Sequence, residues 1–312
     1  MTKQALLRIL ALVCGLLVFQ GCKVRTGVVD TKDPVVVLEY GVGPRTPLRY
    51  AIDEGSTTTS TLEISTSSMM TTTSSGEKLT KGPSLRFVVS SGPAIKLPTG
   101  NVRLDIRIVD AEAVLPPGFE PQPSRDFSQS AALLRGVGGW IEVDDRGNIV
   151  RSELDQAAKN PNVPTRLLMT IVQARTSLAR VVFPAEPVAL GARWEARKPL
   201  KLYGFEIQQT DRYTLRDRSG NTVKLGVDII HRAPEQNLSF AEEGMELALK
   251  SLSTTASGEV DLRLNALEGN ARLKGQSQES LTVTKGDQTE SIELDSAFEL
   301  SMDVTYDASQ AP

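Results

Sequence analysis

The sequence predicts a mainly β protein with one large, curved antiparallel sheet, resembling an unclosed barrel, and one or two helices packed on its concave face. Three observations lead to this prediction. Apolar and polar residues alternate over many short segments, which is typical of strands with one buried face. Gly, Pro, Asn and Asp separate these segments, as turns require. Only two segments show the apolar spacing of a helix.

Composition fits this fold class. The chain has 312 residues, of which 40% are hydrophobic and only 5% aromatic, so its core must consist mainly of aliphatic side chains. A single β domain of this length is common. Mild acidity, with both signs of charge interspersed, gives no basic stripe and argues against a nucleic-acid partner.

Residues 1–21 have the layout of a secretory signal peptide. Lys3 and Arg8 give a positive start, and Ile9 to Phe19 form an apolar run that is too short to span a bilayer as a helix. Removing this leader also removes its two basic residues, which takes the formal net charge from −3 to −5.

The end of the leader, Val18-Phe19-Gln20-Gly21-Cys22, resembles the lipobox of bacterial lipoproteins. By this resemblance, the thiol of Cys22 receives a diacylglyceryl group, residues 1–21 are removed, and the new amino terminus is acylated. Cys22 would then attach the protein to membrane lipid, and two or more acyl chains make such an anchor lasting. The alternative is an ordinary cleaved signal or an uncleaved anchor, with Cys22 incidental.

Lys23 follows the lipidated position, where enterobacterial lipoproteins retained at the inner membrane carry aspartate. By analogy, this favours the outer membrane over the inner one. Residues 22–45 are interpreted as the lipidated terminus and a polar tether, within which Val35 to Leu38 could form a first strand or an interface patch. Residues 46–308 are predicted as a single β-rich domain, and 309–312 as a tail.

The first part of the domain, residues 46–114, is predicted as about four strands of a meander. Residues 48–52 alternate with period two, as do residues 102–108. The Thr- and Ser-rich run 56–75 could be a disordered, mucin-like segment. However, alternation around Leu62 and Ile64 favours an exposed antiparallel strand.

Two helices are predicted, near residues 125–135 and 164–182. Phe127, Ala131 and Leu134 have helical spacing in the first. In the second, a wide apolar stripe follows Pro164 and ends before Pro184, so that helix should pack against one surface.

The remaining segments are predicted as strands joined by hairpins. The turns Asp144–Asn148 and Asp217–Asn221 carry the Asp, Gly and Asn residues that tight turns favour. Residues 242–256 fit either a helix or a strand, and the period-two pattern that follows favours a strand. The final segment, residues 298–306, alternates most cleanly.

Catalytic chemistry is sparse in the sequence. His231 is the only histidine and is interpreted as a residue at the rim of an apolar strand, since no positioned nucleophile accompanies it. Asp144, Asp145 and Asn148 could ligate calcium, but the hairpin explains all three.

No nucleophile-elbow or phosphate-loop motif is present. We therefore predict no enzymatic activity, no catalytic residues, no cofactor and no bound metal. Once Cys14 leaves with the leader and Cys22 is acylated, no thiol remains.

The order of elements resembles that of periplasmic lipoprotein carriers and related lipid-binding lipoproteins, whose sheet is an unclosed barrel around helices. Segments such as Gly191-Ala192-Arg193-Trp194 also resemble uncharacterised bacterial envelope lipoproteins. Two functional hypotheses follow. Either the space between sheet and helices holds a lipid or other apolar ligand, or the domain is a non-catalytic scaffold whose polar strand 56–75 contacts an envelope protein.

The lipid anchor gives a direct prediction for Cys22→Ser. This variant should lose incorporation of radioactive palmitate and should no longer sediment with membranes, because no thioether can form at serine. Cys14→Ser is the matched control, since this thiol lies inside the leader, and it should leave both readouts unchanged. A Cys22→Ser variant that is still labelled would contradict the lipobox interpretation.

Overall fold

The computed structural model describes residues 35–73, 76–82, 84–114, 128–155, 181–202, 205–240 and 245–307. These residues contain seventeen strands: β1 (Val35–Glu39), β2 (Val42–Thr46), β3 (Thr57–Thr72), β4 (Gly76–Lys81), β5 (Ser84–Ser91), β6 (Ile95–Lys96), β7 (Val102–Val114), β8 (Gly138–Val143), β9 (Ile149–Leu154), β10 (Val188–Leu190), β11 (Arg193–Leu202), β12 (Phe205–Ser219), β13 (Thr222–Ala233), β14 (Gln236–Phe240), β15 (Met245–Arg263), β16 (Gly269–Lys285) and β17 (Gln288–Asp307).

Fifteen of these strands form one antiparallel sheet. Its main path runs β1-β11-β12-β13-β15-β16-β17-β3-β5-β7-β8-β9, while β4, β6 and β14 attach beside β3, β7 and β15. β10 and β2 form a separate two-stranded pair. The sheet is not closed into a barrel. The predicted fold class, a large antiparallel sheet of the unclosed-barrel type, is therefore confirmed.

The folded body begins earlier than residue 46. β1 pairs with β11, with Val35 opposite Ala196, and β2 pairs with β10, with Thr46 opposite Val188. Part of the range 22–45 that the sequence assigns to the tether therefore lies in strands. The apolar run that starts at Val35 forms the first strand, which was one of its two interpretations.

Residues 47–53 are extended but join no strand ladder, in contrast to the strand predicted there. Alternate side chains are nevertheless fully or almost fully buried: Leu48, Tyr50 and Ile52. The amide of Tyr50 donates to the carbonyl of Asp145 at 2.7 Å, and the amide of Ala51 donates to that of Leu264 at 2.6 Å. The alternation thus reflects a segment that lies across the end of the core.

The Thr- and Ser-rich run 56–75 contains the 16-residue strand β3, so the prediction of a strand there is confirmed. β3 is central rather than peripheral. β17 pairs along one side, and β5 and then β4 pair along the other. Its side chains alternate, with Thr58, Ser60, Leu62 and Ile64 buried.

Both predicted hairpins form. The turn Asp144–Asn148 joins β8 to β9, and the turn Asp217–Asn221 joins β12 to β13. The ambiguous range 242–256 belongs to the 19-residue strand β15 from Met245 onward. In the 20-residue strand β17, buried or partly buried side chains alternate with exposed ones from Glu290 to Leu300.

Helix is almost absent from the described residues. Residues 128–132 form a short helical stretch within the predicted range 125–135, and Ala131 and Leu134 are completely buried in the core. The second predicted helix, 164–182, lies outside the described residues except for its last two positions, which are not helical.

The buried apolar side chains of the sheet lie on one face, which we call the inner face. They form two separate apolar clusters. The main core is centred on Leu62, Phe87, Trp194, Leu225, Leu262 and Met302. The far cluster, near the other ends of the long strands, consists of Met70, Phe205, Leu247, Leu249, Leu281, Val283 and Ile292.

Candidate functional site

The opposite face of the sheet, which we call the outer face, carries an open groove of about 900 Å³. Two rows of outward side chains line it, and each row crosses the strands through directly opposite partners. The first row is Arg212, Asp228, Ser257, Lys274, Glu299 and Ser65. The second row is Ile230, Thr255, Gln276, Ala297 and Ser67. We call this feature the cross-strand groove.

The first row crosses six strands, from β12 to β3. At about 4.8 Å between neighbouring strands, it is about 24 Å long. An extended chain rises by about 3.3 Å per residue, so the groove matches about seven residues of extended polypeptide. Between the two rows, the floor is formed by the backbone of inward-facing residues such as Ala256 and Gly275.

Charge alternates along the first row. Arg212 and Asp228 are register partners, as are Lys274 and Glu299. The Nζ of Lys274 lies 2.8 Å from Oε1 of Glu299, and both side chains are mostly exposed. Such an exposed pair adds little stability, so its charges can be shared with a ligand at small cost.

Arg212 is held in place by a buried carboxylate. Its Nε donates to Oε2 of Glu195 at 3.1 Å, and Arg197 donates to Oε1 of the same group at 2.6 Å. Burial raises the pKa of Glu195, but the hydrogen bonds from Arg212 and Arg197 outweigh that effect and hold the pKa below its ordinary value. The carboxylate therefore stays ionised and fixes the guanidinium at one end of the groove.

Directly behind the groove, a row of polar side chains crosses the inner face between the two apolar clusters. Its members are direct register partners on successive strands: Lys198, Gln209, His231, Thr254, Ser277, Ser296 and Ser68. We call this row the polar belt. Hydroxyl groups pair within it, at 2.8 Å between Thr254 and Ser277 and at 2.9 Å between Ser296 and Ser68.

His231 belongs to this belt. It lies two residues before the end of β13 and is partly buried, with Nε2 at 3.1 Å from Oε1 of Gln209. Gln209 in turn donates to Asp211, whose carboxylate pairs with Lys198 at 3.0 Å. Burial lowers the pKa of His231, the charge of Asp211 opposes this shift, and the charge of Lys198 adds to it. The imidazole is therefore neutral at pH 7 and forms part of a hydrogen-bonded network.

Glu279 lies next to the belt, on the side of the far cluster. It accepts a hydrogen bond from the hydroxyl of Ser277 at 3.2 Å. Its register partners are the apolar Leu252 and Leu294. Burial raises the pKa of Glu279, although the hydrogen bond from Ser277 opposes the shift.

The calcium hypothesis for the first hairpin gains no support. Asp144 accepts hydrogen bonds from the amides of Arg146 and Asn148 and from the Asn148 side chain. Asp145 pairs with Arg49 instead. Among the described residues, no group of three or more His, Cys, Asp and Glu side chains is arranged to hold a metal ion.

Cys22, the predicted lipidation site, lies outside the described residues. In the described part of the chain, no helix has the length and apolar character needed to cross a membrane.

Sequence reasoning identified the strands that carry the groove but not the groove itself. Ser65 and Ser67 fall in the run 56–75 that was singled out as a polar surface, whereas Arg212 and Lys274 were not considered. Register decides which residues become neighbours across five strand pairs. Burial of the inner face excludes a slip of one residue, but a shift of two residues keeps the same faces, so the outward partners are not evident from the sequence.

A scan against protein-family models finds no match to this chain. A search of curated proteins finds no matching sequence either. Its function is therefore inferred from its own residues.

Glu279 gives a pH-dependent prediction. Because its folded-state pKa is raised above the ordinary 4.5, the unfolded chain loses this proton first as pH rises. The folded state then binds more protons, so this residue lowers the free energy of unfolding as pH increases through that interval. In urea titrations from about pH 4.5 to about 7.5, Glu279→Gln should gain stability relative to the parent protein as pH rises.

The matched control is Glu246→Gln, which alters an exposed carboxylate on the neighbouring strand β15. This change should leave the pH profile of stability close to that of the parent protein. A Glu279→Gln profile parallel to that of the parent would show that burial does not raise the pKa of Glu279.

Proposed function

We propose that this protein is a lipid-anchored, non-catalytic interaction scaffold of the cell envelope, attached through acylated Cys22 and facing the periplasmic side of the outer membrane. Its cross-strand groove binds an extended polypeptide segment of an envelope partner. One observation carries this proposal. The groove of about 900 Å³ is open on the polar face of a sheet whose other face is buried.

The chemistry of the groove suits a polypeptide that carries both signs of charge. Arg212 and Lys274 alternate with Asp228 and Glu299, so a partner with alternating acidic and basic residues would be complementary. Polar residues in the second row, such as Thr255 and Gln276, can hydrogen-bond the backbone of such a segment. A uniformly charged partner would meet a like charge at two of the six positions of the first row.

Carriage of a lipid or other apolar ligand is a second candidate function. The far cluster supports it, because an apolar region set apart from the main core by the polar belt could accommodate a separate apolar ligand. Its members are buried, with Leu249 and Ile292 each 1% exposed, so a ligand there would have to displace protein contacts. Lipid that co-purifies with the full chain, detected by native mass spectrometry, would identify this function.

The scaffold proposal predicts a contact at the groove in the intact envelope. A photo-reactive amino acid placed at Gln276 should cross-link a partner, because this side chain lies in the second row of the groove. The same probe at Asp261 is the matched control, since this residue is also outward and exposed but lies outside the groove, farther along β15. Asp261 should yield no such product.

A charge exchange tests which groups recognise the partner. Lys274→Glu combined with Glu299→Lys keeps an ion pair between β16 and β17 but reverses the order of charge along the first row. Cross-linking from Gln276 should fall about tenfold or more while the melting temperature stays unchanged. Equal cross-linking from Gln276 and Asp261, or no loss on charge exchange, would contradict the proposal.

A further inference from the structure

A second open pocket, of about 500 Å³, lies on the outer face at the other end of the sheet path. It is lined by residues of β5, β7, β8 and β9 together with Asp155, and it shares no residue with the cross-strand groove. The lining residues with aromatic, charged or hydroxyl side chains are Trp140, Asp105, Arg107, Glu153, Asp155 and Ser90. We call it the Trp140 pocket. Its volume is within the range of sites for small molecules.

The strand register places the aromatic ring of Trp140 between the carboxylates of Asp105 and Glu153. Trp140 on β8 is the direct partner of Asp105 on β7 and of Glu153 on β9. All three side chains therefore stand on the same, outer face. Trp140 is partly exposed, in contrast to the completely buried Trp194, and the side chain of Asp105 is 63% exposed. A large aromatic ring on a solvated sheet face, flanked by carboxylates, is well placed for recognition.

A glycine gives the ring its space. Gly138 lies two residues before Trp140 on β8 and on the same, outer face, so no side chain stands beside the ring at this position, whereas Gly139 belongs to the inner face. A Cβ at Gly139 would collide with the backbone carbonyl of Glu153, and one at Gly138 would collide with that of Ile106. The close approach of β8 to both neighbouring strands therefore depends on glycine, and it leaves the indole as the main bulky group of this surface.

The local charges disfavour an ionic ligand. The guanidinium of Arg103 already lies over the Trp140 ring, 4.6 Å from its centroid, and Arg107 lines the pocket. These cations would repel a second cation at the ring. The carboxylates of Asp105, Glu153 and Asp155 would repel an anion. A neutral ligand avoids both repulsions.

Neutral ligands whose rings carry many hydroxyl groups match the hydrogen-bonding groups and the aromatic ring of the Trp140 pocket. Each hydroxyl can donate to a carboxylate such as Asp105 and accept from a guanidinium such as Arg107, and a carboxylate can accept several hydrogen bonds at once. The C–H face of such a ring can pack against the part of the indole that Arg103 does not cover. We infer that the Trp140 pocket binds a neutral oligosaccharide, with Trp140 as the stacking platform and Asp105 and Arg107 as hydrogen-bonding partners.

Three neutral trisaccharides test this inference: maltotriose, cellotriose and N,N′,N″-triacetylchitotriose. Each is titrated into the full chain, purified in a detergent without a sugar headgroup. Binding is measured by isothermal titration calorimetry and by acrylamide quenching of tryptophan fluorescence. Since Trp140 and Trp194 are the only tryptophans and Trp194 is completely buried, protection from acrylamide reports on Trp140. At least one sugar should bind and protect the indole.

Two variants locate the binding. Trp140→Ala should lower the affinity about tenfold or more, and Asp105→Ala, which alters an exposed side chain and leaves the core intact, should lower it as well. Lys274→Ala, in the cross-strand groove, is the matched control and should bind like the parent protein. The inference is overturned if none of the three sugars binds, if neither variant weakens binding, or if tetramethylammonium binds in their place. Loss of the groove's partner would leave these results unchanged, so the two proposals can fail separately.

Discussion

The two-residue alternation of long antiparallel strands in fixed register is the constraint on which this structure depends. In β16, Leu273 and Ser277 point inward while Lys274 and Gln276 point outward, and β13, β15, β17 and β3 follow the same order. The polar belt and the cross-strand groove are therefore opposite sides of the same stretch of sheet. A slip of one residue in a single strand would bury charged groups and expose core residues, at a cost that strongly specifies the native register.

Polar groups can lie on the buried inner face because they form hydrogen bonds with one another. Hydroxyl pairs and the Asp211, Gln209 and His231 network satisfy hydrogen-bonding groups that would otherwise be costly between two apolar clusters. Glycine occurs at a position where a larger side chain would not fit. A Cβ at Gly275 would collide with the ring of Phe298 on the inner face.

Local pattern predicted the strands well and their partners poorly. Alternation identified β3, β7 and β17, and turn residues identified the hairpins at Gly147 and Gly220, because these signals lie within a few residues of one another. The prediction of a strand at Tyr50 was wrong, because a segment that lies across the end of a core shows the same alternation of buried and exposed residues as a paired strand. The partners of His231 could not be predicted, because only the register brings it opposite Gln209 and Thr254. The groove and the Trp140 pocket likewise arise from cross-strand partners that are distant in sequence, and such partners cannot be recognised from a single sequence.

The central claim is that, among the described residues, the inner face of the long strands is buried, while the outer face carries the open groove and the Trp140 pocket. Cysteine scanning of β16 from position 271 to 283 tests it most directly, because the chain has only two cysteines, Cys14 and Cys22. Maleimide should react rapidly at outward positions such as 272, 274 and 276, and slowly at inward ones such as 273, 277, 281 and 283, including those in the far cluster. Rapid labelling of positions 281 and 283 would contradict the claim, since it would reveal a solvent-filled interior.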